Sequence, residues 1–203
     1  MLTATQLKEI NNWRRNWATT GGRKLSIVGC DTEEEVISKA IDKAHAPSVL
    51  RALKTGGNPT ALPRAEVKEL LINELPKALH ASMSRIDFDN WNADLCEKIK
   101  GIYYHKYKMT DYTIGNAQKL LNMAIKYTLS ANIIDPDLDF FKIAHIPVDR
   151  IIMKVATKKL GVAPLKKAWS ATDDMTELLD YQSRLRDSLS SDEFPILWEI
   201  KNW

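Results

Sequence analysis

Apolar residues recur at intervals of three and four along most of this chain, which is the spacing of one face of an α-helix. Capping-box patterns at Thr3 and Gln6, and again at Thr32 and Glu35, precede the first two apolar stripes. The clearest stripes in the first half are Leu7, Ile10, Trp13 and Trp17; Val36, Ile37, Ala40, Ile41 and Ala44; Val67, Leu70, Leu71 and Leu75; and Trp91, Leu95, Ile99 and Ile102. The pattern predicts an all-α protein in which residues 25–28 alone resemble a strand.

Prolines and aspartates divide the first half of the chain into predicted helices. Pro47 and Pro63 are expected to begin helices, because proline is tolerated in the first helical turn. Pro76 is expected to kink or end the helix in which it lies, since it lacks the N–H that the helix needs. Asp87 or Asp89 is the expected N-cap of the next helix.

The second half of the chain contains the helices that matter most for function. Residues 109–115 form a connection to a helix that we expect from about Asn116 to Ser130. Pro147 is expected to begin a helix that ends at Gly161, and Pro195 a short last helix. No internal repeat or linker interrupts the pattern, so the sequence predicts a single helical domain over residues 1–203.

Composition excludes several classes of protein. The chain has 203 residues, of which 44% are hydrophobic and 27% charged, as in ordinary soluble proteins. No apolar run approaches the roughly 20 residues of a membrane span, and no signal-peptide pattern is present. Two distant cysteines and four scattered histidines indicate neither a disulfide framework nor a metal site. We therefore expect a monomeric cytoplasmic protein with no metal and no cofactor.

Positive charge is concentrated in one part of the sequence. Residues 96–167 contain 13 Lys and Arg against 6 Asp and Glu, a net charge of +7, whereas the whole chain carries +3. A local excess of this kind is typical of proteins that bind the phosphates of nucleic acids. A solvated basic face without a partner is the alternative interpretation.

Lys119 is the candidate nucleophile. It lies about one turn into the predicted helix, and Lys126 follows on the same face about 10 Å further along the axis. A neighbouring like charge, partial burial and the positive end of the helix dipole would each lower the pKa of its amine, as nucleophilic attack requires. Without further support, a lysine at this position is more often a solvated surface residue.

Asp149 is the candidate counter-charge. In the first turn of the helix expected from Pro147, the helix dipole should keep its carboxylate ionised and its pKa low. Such a group stabilises developing positive charge better than it donates a proton. The alternative is that Asp149 only accepts hydrogen bonds from the amides of the helix start.

Two stretches of sequence resemble the helix-hairpin-helix DNA glycosylase superfamily, and within it most of all the archaeal 8-oxoguanine DNA glycosylases (AGOG). The matching motifs are Gly115…Gln118-Lys119…Lys126, then Ile146-Pro147-Val148-Asp149, and finally Pro195-Ile196-Leu197-Trp198. The resemblance covers residues 112–162 and 194–203, and it implies helical lobes around a base-binding cleft. The first hundred residues match only in their helical pattern.

The resemblance also implies a role for each matching residue. Lys119 would attack C1′ of a nucleotide flipped out of the DNA, and Asp149 would stabilise the positive charge that develops on the sugar. Lys126, Met123, Pro147, Phe194 and Trp198 would contact the flipped base. The DNA-binding residues would be Thr113, Ile114, Gly115, Asn116 and Gln118, of which the first three would offer backbone amides to a phosphate.

The sequence departs from this family at two pocket positions. Phe194 stands where the family reads 8-oxoguanine with an aspartate, and Met123 stands where it stacks an aromatic ring. These departures favour a bulkier modified base, such as glucosylated 5-hydroxymethylcytosine in phage DNA, as in bacterial defence glycosylases, although 8-oxoguanine is also compatible with the motifs. The residues fit both a lyase with a covalent lysine intermediate and simple hydrolysis. A non-catalytic helix-hairpin-helix DNA-binding protein and an all-α protein-interaction module fit the same pattern without requiring catalysis.

Overall fold

Helices account for all the regular secondary structure that a computed structural model describes, which covers residues 1–19, 29–48 and 61–202. The helices are α1 (Ala4–Thr19), α2 (Glu33–Ser48), α3 (Ala61–His80), α4 (Arg85–Lys100), α5 (Ile114–Thr128), α6 (Asp139–Ile143), α7 (Arg150–Leu160), α8 (Met175–Asp187) and α9 (Pro195–Asn202). A π-helical stretch, Gly101–Lys106, continues α4, and a 3₁₀ turn, Trp169–Ala171, precedes α8. No strand occurs within these ranges, which confirms the predicted all-α class, and the strand-like residues 25–28 lie outside them.

The N-terminus of α1 is capped as the sequence predicted. In α1, the Gln6 amide donates to Thr3 Oγ1 at 3.2 Å, and the Thr3 amide donates to Gln6 Oε1 at 2.8 Å. The prediction for α4 was wrong, because its N-cap is Ser84 rather than Asp87 or Asp89. Asp87 instead completes a capping box by accepting a hydrogen bond from the Ser84 amide.

Prolines end helices less often than the sequence predicted. Pro63 does lie in the first turn of α3, but α3 continues through Pro76 to His80. Ala78 and Leu79, beyond Pro76, are buried in the core, and their burial offsets the hydrogen bond that the proline removes. Pro47 falls within α2 rather than at the start of a new helix, and the short helix expected after it lies outside the described residues.

The two helices of the candidate site also begin elsewhere than predicted. Helix α5 begins at Ile114, because the Thr113 hydroxyl accepts a hydrogen bond from the Asn116 amide and caps it. Helix α7 begins at Arg150 rather than Pro147. The residue before a proline favours extended backbone, and the chain stays extended to Asp149 (φ −145°, ψ 179°), which is the N-cap.

Two clusters of buried apolar side chains form the core. The large cluster is built mainly by α1 to α6, and the small cluster joins α7, α8 and the extended residues Ile146 and Val148. Helix α5 packs mainly against α2 and α4, and every residue from Ile114 to Thr128 is buried. It contributes to both clusters and is therefore the central helix of the described structure. None of the described helices is long and apolar enough to cross a lipid bilayer.

Gly115 allows the N-terminus of α5 to pack directly against the 3₁₀ turn. A Cβ atom at this position would lie 1.7 Å from the carbonyl oxygen of Trp169. The glycine amide donates to Thr172 O at 2.9 Å, and the Ile114 amide donates to Asp173 Oδ1 at 2.9 Å. This close approach fixes where α5 begins, and with it the position of Lys119 further along the helix.

Candidate active site at the buried lysines of α5

Lys119 and Asp149 form an ion pair between α5 and the start of α7. Lys119 Nζ lies 2.6 Å from Asp149 Oδ2, and the two side chains are 7% and 16% exposed. The other carboxylate oxygen, Oδ1, accepts hydrogen bonds from the amides of Ile151 and Ile152 at 2.8 and 2.9 Å. Asp149 therefore both caps α7 and pairs with Lys119, while its role in stabilising a developing positive charge stays a prediction.

The environment of the pair perturbs both groups. Burial is the main cause that lowers the pKa of Lys119, Asp149 opposes it, and the like charge of Lys126 lowers it further. Burial alone would raise the pKa of Asp149, but Lys119 and the two backbone amides more than compensate and lower it. Both directions hold because Asp149 has three hydrogen-bond donors in exchange for its water, whereas Lys119 gains a single carboxylate. The predicted directions of both shifts are confirmed.

A second ion pair lies further along α5. Lys126 Nζ lies 2.7 Å from Oε1 of Glu199 in α9, and the side chains are only 2% and 1% exposed. The second oxygen of this carboxylate, Oε2, is buried and has no hydrogen-bond partner among the described residues. Sequence reasoning missed Glu199, although a lone glutamate between Trp198 and Ile200 in an apolar helix was a usable signal.

Two glutamine side chains hold the extended segment that carries Asp149. Gln118 donates to Val148 O at 3.0 Å and accepts from the Val148 amide at 3.2 Å. Gln182 of α8 likewise donates to Ile146 O at 2.8 Å and accepts from the Ile146 amide at 3.3 Å. The two amides thus replace the neighbouring strand that an extended segment would otherwise need, and they place Asp149 opposite Lys119.

A buried charged cluster supports the other end of this segment, and the sequence did not reveal it. Nε2 of His145 lies 2.7 Å from Asp89 Oδ1, and Arg186 Nη2 lies 2.7 Å from both oxygens of Asp89. Burial lowers the pKa of His145, although Asp89 opposes the shift. The cluster ties α4 and α8 to the residue directly before Ile146.

The predicted DNA-binding residues at the start of α5 form hydrogen bonds within the protein. The amides of Ile114 and Gly115 already donate to Asp173 and Thr172, and the Asn116 amide donates to Thr113. These three amides would have to exchange partners to bind a phosphate, and DNA contact by these residues stays a prediction.

Two further residues of this predicted group are removed from solvent. Asn116 and Gln118 are buried, and both Gln118 polar atoms are used within the protein. The motif that suggested DNA contact therefore also has a structural role, and its contact with DNA stays a prediction.

The predicted base-contacting residues are all buried. Met123 and Phe194 pack in the large cluster, Trp198 packs in the small cluster, and Pro147 is buried in the extended segment. Trp198 directly precedes Glu199, and Lys126 joins that glutamate to α5. The structure thus brings Lys126 and α9 together, while the contact of these residues with a base stays a prediction.

Several lysines of the basic region that the sequence predicted are neutralised by ion pairs. Lys98, Lys100 and Lys106 form ion pairs with Asp94, Asp173 and Glu66 respectively.

By contrast, α7 has an exposed row of cations spaced four residues apart, Arg150, Lys154 and Lys158, which form no ion pair with any described residue. Ile151, 52% exposed, lies beside this row and two residues after Asp149. We call Arg150, Ile151, Lys154 and Lys158 the α7 surface.

Comparison with known proteins adds no assignment. No protein-family model matches the chain, and no significantly similar curated protein or solved structure was found. Within the described ranges, no group of three or more His, Cys, Asp or Glu side chains is arranged to hold a metal ion. The chemistry of the site therefore has to be inferred from Lys119, Asp149, Lys126 and Glu199.

Proposed function

We propose that this protein is a DNA glycosylase that acts on a modified base flipped out of the DNA. One observation carries the proposal: Lys119 Nζ lies 2.6 Å from Asp149 Oδ2 in a mostly buried setting that lowers the lysine pKa. A lysine needs such a setting to become a neutral nucleophile. The ionised Asp149 beside it is suited to stabilise positive charge that develops on the sugar.

Two reaction routes use these residues. In the first, neutral Lys119 attacks C1′ and the N-glycosidic bond breaks with its electrons passing to the base, which takes up a proton lost by the amine. The sugar ring then opens at the C1′–O4′ bond, O4′ takes up the second amine proton, and a covalent imine forms. In the second, Asp149 orients a water molecule for the attack while Lys119 contributes charge alone. The first route yields an adduct that borohydride traps and a nicked strand, whereas the second yields an intact abasic site.

The order of elements supports a helix-hairpin-helix glycosylase fold. The π-helical end of α4, the connection 107–113 and α5 follow one another as the resemblance implies, and Asp149 follows at the start of α7. The connection is anchored by stacking of Tyr103 on Tyr112, whose ring centroids lie 4.1 Å apart. In this proposal the α7 surface, adjoining the more exposed side of the ion pair, contacts the DNA phosphates.

We favour as substrate a modified base that is larger than 8-oxoguanine or differs from it in shape. Glucosylated 5-hydroxymethylcytosine is favoured by Met123 and Phe194, which replace a stacking ring and a polar reader, and 8-oxoguanine is the alternative. The α7 surface can bind DNA phosphates without any chemistry at Lys119. A non-catalytic DNA-binding protein is therefore the second candidate function.

A panel of DNA substrates tests the proposal. Wild-type protein is incubated with an 8-oxoguanine duplex, a uracil duplex, unmodified duplex and phage DNA with glucosylated cytosines. Alkali reveals abasic sites, and parallel borohydride reactions trap a lysine adduct. Lys119→Gln should abolish release of the base while leaving DNA affinity nearly unchanged, and Lys8→Gln, the same change at an exposed residue of α1, should leave both unchanged.

The results separate the candidate functions. Base release from one substrate that survives in Lys119→Gln would contradict the assigned role of the lysine. Salt-sensitive DNA binding without release from any substrate would favour the non-catalytic DNA-binding protein. DNA affinity that hardly changes with salt would favour the protein-interaction module.

A further inference from the structure

Glu199 is a carboxylate with one oxygen satisfied and one open. Oε1 accepts a hydrogen bond from Lys126 at 2.7 Å. Oε2 is buried without a partner among the described residues, although the side chain is almost fully removed from solvent. As the ion-pair partner of Lys126, the carboxylate can only accept hydrogen bonds. The open oxygen is therefore a buried acceptor without a donor among the described residues.

This arrangement does not serve stability. A buried acceptor without a donor loses its hydration without compensation, which destabilises the fold. A buried ion pair, moreover, is often no more stabilising than apolar residues of the same volume. Apolar residues at both position 126 and position 199 would fit the core without this cost. The open oxygen is accounted for if a ligand supplies the missing donor.

The surroundings of Glu199 locate that ligand. Its carboxylate raises the pKa of Lys119, so its charge reaches the proposed nucleophile. Trp198 precedes it in α9, and Met123 lies one turn before Lys126 in α5. Glu199 is thus adjacent in sequence to Trp198 and paired with Lys126, two residues that the proposed function assigns to the base.

We propose that Glu199 determines specificity by accepting a hydrogen bond, through Oε2, from the exocyclic amine of the flipped base. This inference rests on the proposed glycosylase function and narrows its substrates to bases that carry an amine. Cytosine and guanine derivatives have one, at C4 and C2 respectively, whereas uracil and hypoxanthine derivatives do not. Lys126 holds the carboxylate in place and keeps its first oxygen occupied.

The discrimination has a simple physical cause. An amine at the open oxygen donates a hydrogen bond to a charged acceptor in a dry site, where such bonds are strong. A carbonyl in the same place would set two acceptors against each other and leave both unsatisfied. Sites built on a required hydrogen bond reject analogues that lack it by far more than apolar pockets can.

Matched pairs of substrates test the inference. One pair is glucosylated 5-hydroxymethylcytosine and glucosylated 5-hydroxymethyluracil, which differ only in the amine or carbonyl at C4. The other is 8-oxoguanine and 8-oxohypoxanthine, which differ only in the C2 amine. We expect wild-type kcat/KM to favour the amine by about 100-fold or more in whichever pair is cleaved. Glu199→Gln, whose amide can donate or accept, should reduce that preference to within about 10-fold.

A conservative variant separates recognition from structure. Glu199→Asp keeps the carboxylate, so it should lower the rate yet retain the preference for the amine, and a merely structural role would not distinguish the two substrates. A wild-type preference that is absent, or that persists in Glu199→Gln, would overturn the inference.

A binding measurement distinguishes this failure from failure of the proposed function. Lys119→Gln is titrated with the same four DNAs, so no catalysis is needed. Tighter binding of the amine-bearing member that is lost in Lys119→Gln/Glu199→Gln supports the role of Glu199 even if no base is ever released. Equal binding of both members, with or without activity, overturns it.

Discussion

Helix α5 bears two buried lysines two turns apart, and their carboxylate partners are held in opposite ways. Asp149 has both oxygens occupied, by Lys119 on one side and by two backbone amides on the other. Glu199 has one oxygen occupied by Lys126 and one open. The Asp149 pair is partly exposed, whereas the Glu199 pair is not.

The difference indicates two separate tasks for the two carboxylates, one in stabilising the reaction and one in recognising the ligand. A fully satisfied carboxylate at a helix start holds its charge and position, which suits a group that stabilises a reaction. A half-satisfied carboxylate in the core is costly in the absence of a ligand, which suits a group that recognises one. The proposed active site therefore has a chemical end near α7 and a recognition end near α9.

The largest expected effect is on stability at the recognition end. Glu199→Leu removes the carboxylate beside Lys126 and should lower the free energy of unfolding by about 3–5 kcal/mol. Adding Lys126→Met removes the buried ammonium as well and should restore most of the loss. Urea unfolding of both single variants and the double variant measures the coupling. A double variant no more stable than Glu199→Leu would show that the pair does stabilise the fold.

The next effect is on catalysis at the chemical end. Asn caps helices about as well as Asp, so Asp149→Asn should preserve the start of α7 and cost less stability than Glu199→Leu. Without the charge beside Lys119, base release should fall by about 100- to 1,000-fold under single-turnover conditions. Asp149→Ala, which also loses the cap, serves as the comparison and should be less stable by about 0.5–2 kcal/mol. An Asp149→Asn variant with full activity would contradict the assigned role.

The pH dependence of the reaction should reveal how the two ends communicate. Attack requires neutral Lys119, so the rate should rise with pH and level off below the ordinary lysine range, because burial lowers this pKa. Lys126 lowers it too, so Lys126→Met should move the midpoint to higher pH. Glu199 raises it, so Glu199→Gln should move the midpoint to lower pH. Shifts in the same direction, measured by single-turnover rates, would refute the proposed coupling.

The smallest effect concerns the surface beside the chemical end. Lys154→Gln should weaken DNA binding and reduce the slope of log affinity against log salt by about 0.9, the value for one lost phosphate contact. The rate at saturating DNA should stay unchanged, because Lys154 is exposed on the α7 surface. Fluorescence titrations over a range of salt concentrations, with Lys8→Gln as the control, measure the slope. Identical slopes in the two variants would exclude Lys154 from the interface.

Local chemistry explains which parts of the structure the sequence predicted. Helical periodicity and the capping patterns at Thr3 and Thr32 depend on residues a few positions apart, and they were confirmed. The motif around Lys119 and Asp149 identified two residues that do meet, across 30 positions of sequence. The proline predictions failed where burial of residues such as Leu79 outweighed a local rule.

Contacts that depend on the docking of distant elements were not predictable in this way. Glu199 lies 73 positions from Lys126, and Asp173 lies 59 positions from Ile114, whose amide it occupies. Gly115 illustrates the same limit, since its glycine is explained by the backbone of Trp169 rather than by a phosphate. Such residues acquire their roles only when α8 and α9 are packed.

The burial of α5 along its whole length has a consequence for how the protein admits a ligand. Both lysines lie on α5, which is covered by α2 and α4, whereas their carboxylate partners lie at the start of α7 and in α9. In the proposed reaction, a molecule that reaches Lys119 Nζ competes with Asp149 for it, so entry would loosen this ion pair while the Lys126–Glu199 pair stays closed. In amide hydrogen exchange, α5 should therefore remain protected while the first turn of α7 exchanges faster. Admission and activation would then be a single event, in which the lysine is released from its carboxylate by the arrival of the molecule it is to attack.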